Sequence, residues 1–240
     1  MKFVFALVAA LALGACSGGG GGSGNDAAPA APVAAATPPA GQQWTDVVSK
    51  TDEGFRMGNP DAPIKLVEYG SRLCPACKVF TDGGYKPLTG QYIASGKVSY
   101  EFREFLVHGI ADMPPALLGR CVGTAAFFPV LEQQFRDQSQ FTDRMVAAVQ
   151  AVQNEPPARA IPRIAEGMGL IPWFAQRGLP EAQARACLTD QAEIDRLAKI
   201  TQDRGADGTV SGTPTLIVNG NKVDGITWPD VERALKQAGA

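Results

Sequence analysis

One histidine, His108, is all the imidazole this 240-residue chain has, and its one Cys-x-x-Cys, Cys74 to Cys77, has no second copy. Tetrahedral zinc sites draw their ligands from several Cys and His residues. No zinc or other metal site is expected here, and no organic cofactor is implied. Charge of one sign is also missing. The 22 Lys and Arg nearly balance 24 Asp and Glu, leaving a net charge of −2, so there is no basic excess of the kind that marks a nucleic-acid binder. The apolar run at the front, Phe3 to Leu13, stops at eleven residues, short of the roughly 20 that a membrane-spanning helix needs.

That front end, Lys2 followed by a short apolar stretch, reads as an export signal. It closes on Leu13-Gly14-Ala15-Cys16, which resembles a bacterial lipoprotein signal. The resemblance implies lipidation of Cys16, and Ser17 after it favours the outer over the inner membrane. The alternative is ordinary cleavage between small residues nearby. On this reading residues 1–16 are signal, and membrane contact is through a lipid anchor only. The stretch after it is Gly, Ala and Pro with almost no charge. It has too little apolar side chain to offset the entropy of ordering, so residues 17–43 are expected to form a disordered linker.

From Trp44 on, the pattern predicts an α/β domain interrupted by helices. Ile64 to Gly70 is β-rich, preceded by the turn signal Asn59-Pro60-Asp61-Ala62-Pro63. A helix is expected from Pro75 to about Thr89, and the alternation of Val98 to Phe105 predicts a second strand. From Asp112 to Arg204 no strand is evident. Apolar residues recur instead at helical spacing, punctuated by prolines, which predicts four or five helices with Phe127, Phe128, Trp173 and Phe174 in their core, the alternative being that some line an apolar groove for unfolded clients. Thr215 to Val218 resumes strand character, Asn219-Gly220 signals a hairpin, and Trp228 to Gln237 closes as a helix. The expected units are 44–110 and 207–240 as two parts of one domain, with 111–206 inserted between them.

The chemistry centres on Cys74-Pro75-Ala76-Cys77. At a helix start, the first cysteine feels the positive end of the helix dipole and the free backbone N–H groups, both of which favour thiolate. Cys74 is then the more exposed, nucleophilic sulfur, and Cys77, one turn on, resolves a mixed disulfide. A Cys-x-x-Cys beside a strand–helix pattern reads as a thioredoxin-type redox motif. Far downstream, Thr213-Pro214 precedes the predicted hairpin and resembles the cis-proline loop of the thioredoxin superfamily, which faces the nucleophile and pairs with substrate backbone.

Taken together, Val67-Glu68-Tyr69-Gly70-Ser71, the redox motif, the helical insertion and Gly212-Thr213-Pro214-Thr215 resemble the DsbA-type thiol oxidoreductases of bacterial envelopes. The resemblance covers roughly Pro60 to the C-terminus. It implies a thioredoxin fold split by an all-helical domain, and an acidic role for Glu68 beneath the pair, moving the proton of the resolving thiol. A strand carboxylate facing solvent is the plainer alternative for Glu68. It also implies unfolded or reduced exported proteins as clients in the periplasm, and a DsbB-type membrane partner that reoxidises the pair. One departure stands out: the family commonly has His where this chain has Ala76. Loss of that donor should raise the Cys74 pKa and give a potential between those of thioredoxin and DsbA, roughly −270 and −120 mV.

The expected function is oxidation of cysteine pairs in exported proteins. A reductase or isomerase competes, although Gln42 to Pro60 is too short for the dimerisation domain usual in such isomerases. A client-binding protein with purely structural cysteines is the reading from another class. Cys121 and Cys187 fall on apolar faces of predicted helices. They are expected to pair as a disulfide rather than to stay as two buried thiols, because a free thiol beside an oxidase motif is a liability. His108 falls in a loop, where a solvated side chain is the expectation and a pH-sensing or substrate role the alternative.

Overall fold

The computed structural model describes residues 30–240. Cys16 and the expected signal lie outside them. The core of the domain is a six-stranded sheet in the order β1-β2-β4-β3-β5-β6. Its strands are β1 Val48–Lys50, β2 Gly54–Met57, β3 Ile64–Gly70, β4 Val98–Glu104, β5 Thr215–Val218 and β6 Asn221–Lys222. β3 and β4 run parallel, with Leu66 beside Tyr100 and Glu68 beside Phe102, and β5 is antiparallel to β3. The parallel pair is joined by α1 (Pro75–Pro87) and a π-helical turn (Leu88–Ile93), and α9 (Trp228–Gln237) closes the chain. Asn219 and Gly220 both take positive φ, 48° and 84°, as a two-residue hairpin turn demands. The β1–β2 hairpin was not expected. Its strands have only three and four residues, too short to show an alternation.

The insertion holds seven helices rather than four or five: α2 Met113–Cys121, α3 Thr124–Arg136, α4 Ser139–Gln150, α5 Pro157–Gly167, α6 Leu170–Ala175, α7 Glu181–Cys187 and α8 Gln191–Ala206. The extra two arise where Gly123, at φ 85°, divides the apolar pattern from Leu117 to Phe128 into α2 and α3, and where Gly169, at φ 73°, sets off the short α6. Cys121 at the end of α2 and Cys187 at the end of α7 are joined as a disulfide, with Cα atoms 6.4 Å apart, a separation usual for such bonds.

Two apolar cores result. One lies among α2 and α4–α8 and includes Phe141, Trp173 and Phe174. The other covers the sheet, and it takes Phe127 and Phe128. These two were expected in the helical core. Instead α3 leans on the sheet, with Phe127 stacked on Phe55 at 3.9 Å between centroids and Phe128 set 5.5 Å from Tyr100. Adjacent residues on a helix point about 100° apart, and here both rings meet side chains of the sheet.

The linker expectation also needs correction from Ala30 onward. Ala30 N–H donates to Gln237 O, Val33 N–H to Gly239 O and Ala36 N–H to Ser95 O. The Trp44 indole donates to Ala36 O at 2.8 Å. Val33 and Ala36 pack on the sheet core, and the carbonyls at the end of α9 receive partners that a helix C-terminus otherwise lacks.

Candidate active site

β3 ends at Gly70, and the chain turns through Ser71, Arg72 and Leu73 before α1 begins. Cys74 caps that helix in an extended conformation and Pro75 is its first residue. The fixed φ of proline and its missing N–H suit that place. The Ala76 and Cys77 N–H groups lie on the side of the Cys74 sulfur and help to lower its pKa. Both cysteines are free thiols and both are buried. Cys74 is 7% exposed and Cys77 0%, so the nucleophile is less open than the sequence implies but remains the accessible member.

The second half arrives from β5. The Thr213–Pro214 bond is cis, and the Cys74 thiol donates to Thr213 O at 3.3 Å. The Thr213 hydroxyl is buried without a hydrogen-bond partner, and Thr213 helps to lower the pKa of the same sulfur. The Cys77 thiol, Thr213 and the two backbone N–H groups together hold the Cys74 pKa down to about 5 against the opposing effect of burial. That value sits between the roughly 3.5 of DsbA and 7 of thioredoxin. Cys77 goes the other way: burial, its hydrogen bond to Cys74 and the Glu68 charge keep its pKa well above the ordinary range.

Glu68 does not face solvent. It is fully buried on β3, and its Oε2 accepts the Tyr100 hydroxyl at 2.6 Å. Its other oxygen has no partner. Burial, with the Cys74 and Glu104 charges and against the Tyr100 hydrogen bond, lifts its pKa to about 8. A carboxyl in that state carries a proton at neutral pH, and once it ionises its charge opposes a Cys77 thiolate. Tyr100 was not singled out in the sequence, although the parallel register places it two pairs from Glu68.

The insertion holds the redox turn from behind. Gln138, 4% exposed between α3 and α4, donates from Nε2 to Arg72 O at 3.1 Å and to Cys74 O at 3.0 Å. Arg72 is 1% exposed and pairs with the equally buried Glu104 at 2.8 Å, while its Nη1 donates to Gln134 at 2.9 Å. Its guanidinium lies 5.0 Å from the Phe127 ring centre, within cation–π range. Gly119 of α2 covers it so closely that a Cβ there would collide with the guanidinium. Long polar side chains with no local pattern gave no sequence signal for these contacts. The Cys121–Cys187 disulfide, between α2 and α7, belongs to the insertion.

A thioredoxin family profile matches residues 50–237. The chain belongs to the thioredoxin family. A solved structure titled protein-disulfide isomerase, from Novosphingobium aromaticivorans, is similar at 29% identity and a TM-score of 0.70, covering 75% of this chain and 94% of that one. Wolbachia pipientis alpha-DsbA1 shares the fold at 19% identity and TM-score 0.61, over 77% of this chain and 89% of that one. A Rickettsia bellii protein named "Putative protein-disulfide oxidoreductase" is 25% identical over 193 residues, 80% of this chain and 67% of the relative. The chain spans about two thirds of the length of such curated relatives. The fold is of the DsbA type, and the chain is a thiol:disulfide oxidoreductase.

Proposed function

We propose that this oxidoreductase works as a disulfide donor to cysteine pairs in exported proteins. The observation that carries this reading is the asymmetry of the pair: Cys74 favours thiolate while Cys77 is held as a thiol. A stabilised Cys74 thiolate favours the reduced pair and makes it a good leaving group. A client thiolate attacks Cys74 Sγ of the Cys74–Cys77 disulfide. The client–Cys74 bond forms, and Cys77 departs as a thiolate that takes up a proton, for which protonated Glu68 is placed. The second client thiolate then attacks the client sulfur, releasing the Cys74 thiolate. The client has lost two electrons and the pair has gained them. Thr213 and Pro214 border the groove where client backbone would lie, and a DsbB-type membrane protein would return the pair to the disulfide.

The same reading places the protein in the bacterial periplasm, held to a membrane by lipid on Cys16, and gives Cys121–Cys187 a structural role. Intact mass of the mature protein tests the anchor, since an unmodified N-terminus removes it. The direction is tested with a reduced, unfolded protein of two cysteines, offered to the oxidised enzyme. Rapid disulfide formation is expected. Oxidation no faster than with glutathione disulfide alone would instead favour the reductase or isomerase reading.

A further inference from the structure

His108 is an exposed loop residue, as expected, but its imidazole is held in place. It precedes Gly109, whose φ of 61° bends the chain into the 3-10 turn Gly109–Asp112. That bend brings Asp112 back onto it. The His108 N–H donates to Asp112 Oδ2 at 2.7 Å, and its Nδ1 lies 3.1 Å from both carboxylate oxygens. Asp112 is 2% exposed and accepts the Ser71 hydroxyl at 2.7 Å, while that hydroxyl also lies 3.4 Å from His108 Nδ1. Ser71 in turn holds the redox turn: its hydroxyl accepts Leu73 N–H at 3.1 Å and its carbonyl accepts Cys74 N–H at 3.1 Å. A single polar linkage thus ties the imidazole to the residue that carries the nucleophile. With Nδ1 engaged by the carboxylate, Nε2 is the ring nitrogen left free.

We propose that His108, oriented by Asp112 and Ser71, supplies a positive charge beside Cys74 that favours its thiolate, filling from a separate loop the role that Ala76 cannot fill from within the motif. The inference rests on Cys74 being the working nucleophile, as above. The charged groups around the imidazole are Asp112 on its own turn and Cys74 at the start of α1. Behind Asp112 stands Glu104 of β4, which is balanced by Arg72 and faces Arg120 of α2. The Asp112 hydrogen bond, then its charge and that of Cys74, raise the His108 pKa against the effect of partial burial. Imidazolium therefore persists over more of the neutral range than for a free histidine. Removing the imidazole would take this positive charge away, which disfavours thiolate.

Coupling between two titrating sites is reciprocal, so the charge on Cys74 must be visible at His108. Because His108 is the sole histidine, proton NMR of the untagged wild-type protein resolves its titration directly. In the reduced protein, where Cys74 is thiolate, its proton affinity should be roughly threefold to tenfold higher than in the oxidised protein, where the sulfur is neutral. The thiolate ultraviolet absorbance reads the other side. His108→Gln should raise the Cys74 pKa by a similar factor, and His108→Arg, which keeps the cation, should restore it. An identical His108 titration in both redox states, or a Cys74 titration unmoved in His108→Gln, would overturn the proposal. Neither readout needs a client, so failure to oxidise proteins would count against the proposed function and leave this inference standing.

Discussion

Replacing Glu68 by Gln should stabilise the protein at neutral pH and slow its redox cycle. Gln keeps an acceptor for the Tyr100 hydroxyl and cannot ionise. In the folded wild type the Glu68 pKa is raised to about 8 from an ordinary 4.5. The folded protein therefore holds this proton across pH 4.5 to 8, where the unfolded chain has released it. Wild-type stability from this group is intact below 4.5 and is lost progressively as pH rises to 8. The deficit is about 1 kcal/mol at pH 5 and about 3 kcal/mol at pH 7, at 1.36 kcal/mol per pKa unit. Urea unfolding of reduced wild type and Glu68→Gln at both pH values reads it, and comparison at each pH largely cancels the separate titration of Cys74. The variant should gain about 2 kcal/mol more over wild type at pH 7 than at pH 5. It should also slow departure of Cys77, since the proton source is gone. Equal differences at the two pH values would mean that Glu68 is not a protonated acid in the fold, and the proton step would need another donor.

Cys74→Ala should abolish disulfide transfer, whereas Cys77→Ala should accumulate mixed disulfides with clients, detectable on non-reducing gels; wild-type oxidation by the Cys74 variant would refute the mechanism. Ala76→His adds a donor beside the sulfur and should lower the Cys74 pKa, read by iodoacetamide alkylation rate against pH, with no downward shift counting against the helix-start placement. Gly119→Ala drives a methyl into the Arg72 guanidinium and should destabilise by about 1–3 kcal/mol in thermal unfolding. Unchanged stability would mean that the ion pair yields freely. Cys121→Ser with Cys187→Ser opens a link across 66 residues and should lose about 2–4 kcal/mol in urea, while the Cys74 alkylation rate stays as in wild type.

What the sequence made legible was local. The redox motif followed a β-rich run and preceded a Pro that starts a helix, so Cys74, Cys77 and the position of α1 could be read from neighbours in the chain. Thr213-Pro214 and Glu68 came from resemblance, because their meaning depends on strands brought together from 139 residues away, as between Cys74 and Thr213. The β1–β2 hairpin was too short for a periodicity to register. Phe127 and Phe128 were assigned to the wrong core because helical spacing tells that a face is apolar and not which surface it meets. Arg72, Gln138 and the His108–Asp112 pair were invisible for a related reason: a polar residue declares a buried role only when its partner is known. Val33 and Ala36 show the same limit in reverse, since a stretch poor in apolar side chains still docks where helix-end carbonyls await partners.

The central claim is that the surroundings of Cys74 stabilise its thiolate enough to make the Cys74–Cys77 disulfide an oxidant. Equilibration of the pair with glutathione measures this directly as a reduction potential. With Cys74 at about 5, the account predicts a value between those of thioredoxin and DsbA, roughly −270 and −120 mV, and on the oxidising side of the glutathione poise in a reducing cytosol. A potential at or below roughly −270 mV would contradict it, since the pair would then reduce disulfides rather than donate one.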